Sequence, residues 1–167
     1  MARALVVVAL IATTISLSLS SVLSSDASEH FFVEGKVYCD TCRVQFVTRV
    51  SEYLPGAKVR LECRQRNDST LTYSTEGETD KNGVYTLPVD GDHEEEICEV
   101  KALKSPREDC NEHFADYDQK ARVVLTDKTG VTNIARYASP LGFMKKEALP
   151  VCAEVLKELF PPEEEDA

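Results

Sequence analysis

Six cysteines constrain what this 167-residue chain can fold into more than any other feature of its sequence. All six lie between positions 39 and 152, well after an apolar N-terminus. An even number of cysteines in an exported chain is typical of a disulfide-bonded domain. The close pair Cys39 and Cys42 has three interpretations: a redox pair, half of a zinc site, or anchors for two separate disulfides.

The N-terminus has the layout of a secretory signal peptide. Arg3 supplies a basic start, Ala4–Ile15 is apolar apart from two threonines, and small residues predominate from there to Ala27. The apolar run is shorter than the ~20 residues that a membrane-spanning helix needs. We therefore expect residues 1–25 to be a signal peptide and the rest of the chain to be secreted into the extracellular space, without insertion into a membrane.

Export favours disulfides over the other two interpretations of the close cysteine pair. A zinc site would need a second close pair, whereas each later cysteine stands alone in the sequence. A thioredoxin-like site would place Cys39 and Cys42 at a strand-to-helix turn, but Val44–Val50 reads at least as well as a strand. Redox and zinc chemistry are both disfavoured, while the residues alone leave the disulfide partners open.

Alternation with a period of two dominates the middle of the chain and predicts strands. In the segment 57–64, Ala57, Val59, Leu61 and Cys63 share one face, and charged residues occupy the other. The pair Asn82-Gly83 predicts a hairpin or a tight loop with positive φ. Further strands are predicted at Phe31–Tyr38, Leu71–Thr75, Val84–Leu87, Ile97–Leu103 and Ala121–Thr126.

Only the C-terminal region has a helical pattern. After Pro150, apolar residues recur every three to four positions, which predicts one short helix that docks on the sheet. The elements together predict an all-β domain, either a β-sandwich or a small β-barrel, with a short C-terminal helix. An acidic tail follows at residues 161–167.

Charge and residue types exclude several functions. The net charge of −10 disfavours nucleic-acid binding, because the surface repels phosphates.

His30, His93 and His113 lie in polar segments without a nucleophile motif, so they are interpreted as surface residues. Asp80-Lys81-Asn82-Gly83 begins like a calcium loop, but position twelve is Gly91 rather than glutamate, and a turn explains it. We expect no catalytic residues, no metal site and no cofactor.

Three surface features remain as candidates. Asn67-Asp68-Ser69 is an N-glycosylation sequon in a polar loop, so Asn67 is the predicted glycosylation site. The acidic run Asp90–Glu96 is interpreted as solvated, with loose calcium binding as the alternative. The outer face of the strand at 57–64 and the residues after it are basic and offer a contact for acidic wall polysaccharide; the residues are Lys58, Arg60, Arg64 and Arg66.

The segment "EGKVYCDTCR", Glu34 to Arg43, resembles at every position the signature of the Pollen Ole e I-like family of secreted plant proteins, whose founder is the major olive-pollen allergen. The segments "PGAKVRLEC", "TDKNGVYTLPV", "CEVKALKSPREDC" and "SPLGF" resemble later blocks of the family in the same order, as does the last cysteine. The resemblance covers residues 32–160, so the predicted domain is 26–160.

The resemblance implies a Greek-key β-fold with three disulfides, Cys39–Cys110, Cys42–Cys152 and Cys63–Cys98. It also implies a non-enzymatic secreted glycoprotein, expected to be a monomer, that acts by protein–protein recognition in growth, development or pollen-tube extension and is a potential allergen. The implied partner is a cell-surface receptor kinase or a cell-wall component. The alternative is a wall polysaccharide-binding module that uses the basic strand face.

Overall fold

A computed structural model describes residues 30–114 and 119–161 of the chain. Within these ranges, the chain forms ten strands and one helix. The strands are β1 (His30–Asp40), β2 (Glu52–Tyr53), β3 (Lys58–Gln65), β4 (Leu71–Glu78), β5 (Val84–Asp90), β6 (Glu96–Lys104), β7 (Cys110–Glu112), β8 (Lys120–Val123), β9 (Ala135–Tyr137) and β10 (Leu141–Lys145), and the helix is α1 (Cys152–Leu159).

The strands form two sheets. One sheet has the order β4-β3-β6-β8, and all its described pairs are antiparallel. The other is built around the long strand β1, which changes neighbours along its length. The first part of β1 pairs antiparallel with β5 and parallel with β9, whereas its last residues pair parallel with β10 and antiparallel with β2. The short strand β7 lies beyond β10.

The alternation seen in the sequence places one face of each long strand in a common core. Val59, Leu61 and Cys63 of β3 point inward, and Leu87 and Val89 do the same from β5. Val33 and Val37 contribute from β1, with Val100 from β6. Burial of apolar side chains from both sheets is the dominant stabilising term for such a fold.

The all-β prediction with two packed sheets, one C-terminal helix and three disulfides is confirmed. All the predicted strands but one are present, with ends that differ by a few residues; β8 ends at Val123, three residues before its predicted end. The predicted helix is α1, which buries Cys152 and Val155. Within the described ranges, no helix has the length and apolar character needed to cross a membrane.

The prediction of a strand at Val44–Val50 is wrong. This segment consists of turns and bends, with Arg43 and Gln45 at positive φ of 58° and 65°. The buried carboxylate of Asp40 holds the segment, because its two oxygens accept hydrogen bonds from the backbone N–H groups of Cys42 and Gln45 at 3.2 and 2.6 Å. This local acceptor competes with strand pairing, and a propensity-based reading overlooks it.

The turn at Asn82-Gly83 is the predicted tight loop and not a hairpin. Gly83 has φ +72°, and the Asp80 carboxylate accepts hydrogen bonds from the N–H groups of Asn82 and Val84. However, β4 pairs with β3 whereas β5 pairs with β1, so the turn carries the chain from one sheet to the other.

Four short strands, β2, β7, β9 and β10, were not predicted. Four of the five residues of β10 are buried, so it shows no alternation.

Candidate functional site

The cysteines at the end of β1 are structural anchors. Cys39 is joined to Cys110 at the start of β7, and Cys42 is joined to Cys152 at the start of α1, with Cα–Cα distances of 6.0 and 5.4 Å. The third bridge joins Cys63 to Cys98, which are directly opposed on β3 and β6. These are the three pairs that the family resemblance implies. Each of the six sulfurs is in a disulfide, so the close pair is neither a dithiol nor half of a zinc site in this structure.

Other residues of the "EGKVYCDTCR" segment also hold the fold together. Thr41 donates a hydrogen bond to the carbonyl of Val50 at 2.9 Å, and Arg43 donates to the carbonyl of Lys145 and to the Glu112 carboxylate. These contacts tie the loop after β1 to its own far end and to β7 and β10. The region that includes Asp40, the bridges Cys39–Cys110 and Cys42–Cys152, and helix α1 is called the fastened end below.

Glycines in the matching segments have packing roles. Gly35 lies opposite Tyr85 in the β1–β5 pair, and a Cβ atom at Gly35 would overlap the buried Tyr85 hydroxyl. A Cβ at Gly142 would lie 2.8 Å from the ring of Tyr38. Glycine is therefore required at both positions by aromatic side chains that other segments supply. The motif that carries the family resemblance is explained by folding, so a functional surface must be sought elsewhere.

The histidines and the acidic loop are engaged in local contacts. His93 is half-buried rather than on the surface: its ring lies 5.0 Å from that of Tyr73 and its Nδ1 atom lies 2.7 Å from the Glu96 carboxylate. His93 and Glu96 lie close to Cys63 and Cys98, but both sulfurs of this four-residue group are committed to a disulfide. His30 and His113 are exposed, as predicted.

The carboxylates of the acidic run are largely paired. Asp92 and Glu94 form ion pairs with Lys128, and Asp90 contacts His30. Desolvation raises the pKa of the Asp92 carboxyl, but hydrogen bonds from the Lys128 ammonium, the Thr126 hydroxyl and the backbone N–H of Glu94 together lower it below its usual value. A cation of the chain itself thus occupies the position that the calcium alternative would assign to a metal ion.

The basic strand face does not carry an excess of positive charge. Lys58 pairs with Glu78, Arg60 with Glu76 at 2.6 Å, and Arg64 with Glu62 at 3.0 Å. Arg66 donates to the backbone carbonyl of Glu94. Carboxylates of the neighbouring strand β4 pair with Lys58 and Arg60, and Glu62 of the same strand pairs with Arg64. The electrostatic basis for binding acidic polysaccharide at this face is therefore weak.

Asn67 lies in the exposed turn between β3 and β4. In that turn the Asp68 carboxylate accepts a hydrogen bond from the N–H of Thr70 at 2.9 Å, and Ser69 has φ +60°. The position is accessible to a bulky glycan, and its use as a glycosylation site stays a prediction.

The strongest candidate for a binding site is a cavity between strands β8 and β9, which we call the seam cavity. Its volume is about 330 Å³. β8 is the last strand of one sheet and pairs only with β6 among the described strands, and β9 likewise pairs only with β1. The cavity therefore lies where the edges of the two sheets meet. Its walls are formed by Arg122, Val123, Val124, Thr129, Val131, Arg136 and Tyr137.

A buried arginine shapes the seam cavity. Arg136 of β9 is 8% exposed, and its guanidinium donates hydrogen bonds to the carbonyls of Val124, Asn133 and Thr126. Its other face packs on the ring of Phe31, 4.7 Å from the centroid. Arg136 thereby ties the segment 124–133 to β9, and its contacts set the position of the loop that walls the cavity.

Exposed apolar side chains lie in and next to the wall of the seam cavity. Val124, Val131, Ile134 and Tyr137 are each about half exposed or more, and Tyr137 reaches 70%. We call these four residues the seam patch. A second exposed apolar group, formed by Phe46, Val47, Leu159 and Phe160, lies at the fastened end, where the rings of Phe46 and Phe160 pack edge to face. The seam patch differs because it borders a concave site that carries arginines.

Sequence reasoning missed the seam entirely. The segment "VTNIARY", residues 131–137, combines apolar and polar residues without a helical or strand period, so the sequence predicts no element there. The available signal was a set of large apolar side chains in a loop that offers no core for them. Arg136 gave no signal, because a buried arginine bound to backbone carbonyls has no sequence pattern of its own.

Comparison with known proteins decides the family. The profile of the family described as "Pollen protein Ole e 1 like" matches residues 29–160. The chain belongs to this family. An Olee1-like protein of Betula pendula is 56% identical over 135 residues, covering 80% of this chain and 81% of the birch protein. The anther-specific protein LAT52 of Solanum lycopersicum is also 56% identical over 135 residues, covering 80% of this chain and 83% of the tomato protein.

The Ole e 1-like fold is also known from a solved structure. The crystal structure of the major plantain pollen allergen, Pla l 1, aligns with a TM-score of 0.66 at 41% identity, covering 72% of this chain and 98% of the plantain chain. The similar proteins are named as pollen or anther proteins and pollen allergens. The three disulfides are consistent with an extracellular location.

Proposed function

We propose that this Ole e 1-like chain is a secreted, non-enzymatic glycoprotein of pollen or anther tissue that acts by protein–protein recognition outside the cell. Its partner would be a cell-surface receptor kinase or a protein of the cell wall, with a role in growth, development or pollen-tube extension. The names of relatives as anther or pollen proteins support the tissue, and the disulfide framework and signal-peptide layout support export.

The observation that carries the recognition proposal is the seam patch. Val124, Val131 and Tyr137 line a concave site and Ile134 lies in the same segment, and none of the four belongs to the core of the domain. Large apolar side chains at a concave, rigidly held site mark a binding surface, and tyrosine is enriched at the centres of protein interfaces. The basic strand face is a weaker candidate for binding a partner, because Lys58, Arg60 and Arg64 are already paired with carboxylates of the sheet.

The test is capture of partners from pollen-tube extracellular fluid with the secreted, disulfide-bonded protein, followed by mass spectrometry. The variant Tyr137→Ser with Ile134→Ser removes two side chains of the seam patch. Leu71→Ser is the matched control, because Leu71 is also an exposed apolar residue but lies on β4. We expect at least one extracellular protein that is retained by the wild type and by the control and is lost with the double variant.

Equal retention by all three proteins would contradict the use of the seam patch. Retention on demethylated pectin that disappears with Arg60→Ser and Arg64→Ser would instead support the polysaccharide-binding alternative at the basic face. The glycosylation prediction is checked separately: Asn67→Gln should lower the mass of the secreted protein by one glycan without changing its thermal stability.

A further inference from the structure

We propose that the seam cavity binds an extended, acidic segment of a partner protein, with a carboxylate directed at Arg122 and an apolar side chain inserted beside Tyr137. This inference rests on the proposed function and specifies the chemistry of the partner. The juxtaposition that carries it is a cavity with mainly apolar walls, two arginines that form no ion pair with a carboxylate of the described residues, and two strand edges that no other described strand covers.

The arginines of the seam differ from the others in the described part of the chain. Five of the eight described arginines form ion pairs with carboxylates, namely Arg43, Arg49, Arg60, Arg64 and Arg107. The three others are Arg66, Arg122 and Arg136, and two of them wall the seam cavity. In a chain with a net charge of −10, such an arrangement leaves a local positive site on an acidic surface.

Burial strengthens the field of Arg136. Its guanidinium is bound to backbone carbonyls, which satisfy its hydrogen bonds but do not cancel its charge. A positive charge shielded from water attracts an anion more strongly than the same charge at an open surface. Arg122 is exposed at the same cavity. Glu99 lies opposite it on β6, but Arg122 forms no ion pair with a described carboxylate, so its guanidinium can make a bidentate contact with an incoming carboxylate.

The size of the seam favours a peptide over a small organic acid. The seam patch continues past the cavity onto Ile134, so an apolar occupant that covers it must extend beyond the cavity walls. The edges of β8 and β9 offer backbone groups to an extended segment in the way that sheet edges bind added strands. A single carboxylate-bearing ring would leave much of this surface in water.

The test uses two synthetic peptides, each acetylated and amidated: Glu-Phe-Glu-Val-Glu and its counterpart Lys-Phe-Lys-Val-Lys. Each is titrated into the secreted, disulfide-bonded protein, and binding is followed by amide NMR spectra. Phenylpropionate is titrated in parallel as the small-molecule probe. We expect the acidic peptide to shift the amides of residues 122–124 and 131–137, to bind at least about tenfold more tightly than phenylpropionate, and to outcompete the basic peptide by a similar factor.

Charge reversal locates the carboxylate. Arg122→Glu should weaken binding of the acidic peptide about tenfold or more, while Lys146→Glu, which makes the same charge change at the fastened end, should leave it within about twofold. Both positions are exposed, so both variants should fold normally. Equal binding of the acidic and basic peptides, or an Arg122→Glu affinity equal to that of the wild type, would overturn the proposal.

Two other outcomes would also overturn it by assigning a different occupant. If phenylpropionate binds as tightly as the peptide, the site belongs to a small organic acid. If the seam amides shift with protein concentration in the absence of peptide, the occupant is a second copy of the chain. Loss of partner capture with Tyr137→Ser and Ile134→Ser but not with Arg122→Glu would leave the proposed function standing and refute the acidic chemistry alone.

Discussion

The fastened end and the seam lie at opposite ends of β1 and are built in opposite ways. At the fastened end, two disulfides, a buried carboxylate and an arginine converge within a few residues of Cys39. At the seam, within the described part of the chain, the Arg136 side chain donates hydrogen bonds only to carbonyls and Arg122 forms no ion pair with a carboxylate, while large apolar side chains remain in water. The difference indicates that one end stabilises the domain and that the other is available for binding.

The comparison predicts that removing a bridge at the fastened end has the largest effect on stability. Cys42→Ala with Cys152→Ala opens a loop of 110 residues, so the free energy of unfolding should fall by about 4–5 kcal/mol. Chemical denaturation of the purified protein measures the loss. Cys63→Ala with Cys98→Ala is the control at a shorter sequence separation of 35 residues, and it should cost less. An equal or larger cost for the control would contradict the loop-entropy argument.

The second prediction tests how far the tight packing of the fastened end continues along β1 toward the seam. Gly35→Ala places a methyl group against the buried Tyr85 hydroxyl and ring, and overpacking of this kind costs about 1–3 kcal/mol. The thermal midpoint should fall accordingly. Gly130→Ala is the matched comparison near the seam: Gly130 has positive φ, but no atom lies within 4 Å of its added Cβ, so only backbone strain should contribute. A larger loss for Gly130→Ala would reverse the comparison.

The third prediction concerns acid sensitivity, which should be greater at the fastened end. Hydrogen bonds from Arg107, and then from Lys145, hold the pKa of the Asp109 carboxyl well below its usual range. A depressed folded-state pKa stabilises the protein above the unfolded-state value of about 3.9, and this contribution is lost as the pH falls through the folded-state pKa. The protection factors of the amides near Cys110, which compare the measured exchange rates with the intrinsic rates at the same pH, should therefore fall below about pH 4.

Asp109→Asn separates this contribution from general acid unfolding. The variant should be slightly less stable than the wild type at neutral pH, and the difference should shrink as the pH falls below 4, because the wild type then also loses the carboxylate. High salt should reduce the difference, since Asp109 is solvent-exposed. A constant difference across the titration would show that Asp109 acts through packing.

The sequence was sufficient for the fold where a residue pattern has one physical meaning. Alternation in β3 and β5 predicted strands with buried faces, and export together with paired cysteines predicted disulfides. It failed where tertiary contacts override local preference. The Asp40 carboxylate turns Val44–Val50 into a loop, and β9 exists because it lies against β1 and not because of its own three residues.

The candidate site was the least predictable part for the same reason. The seam cavity is formed by residues from 122 to 137 that become neighbours only when the last strands of the two sheets meet. Basic side chains such as Arg60 looked more functional in the sequence, because the pairing of Arg60 with Glu76 of the neighbouring strand depends on the strand register and is not visible in the composition. Burial and ion pairing, which only the structure reveals, make the seam patch a stronger candidate for binding than the basic strand face.

The smallest effect on stability is expected at the seam, where the largest effect on binding is proposed. Ile134 and Tyr137 are 55% and 70% exposed, so Tyr137→Ser with Ile134→Ser removes little buried surface, and the free energy of unfolding should change by no more than about 0.5 kcal/mol. Denaturant unfolding measures this value, and Leu71→Ser provides the reference for an exposed apolar residue elsewhere. A loss of several kcal/mol would show that these side chains complete the core, and the distinction between a stabilising end and a binding end would then fail. An unchanged stability together with lost partner capture would establish that distinction, because the same substitution would have removed recognition without affecting the fold.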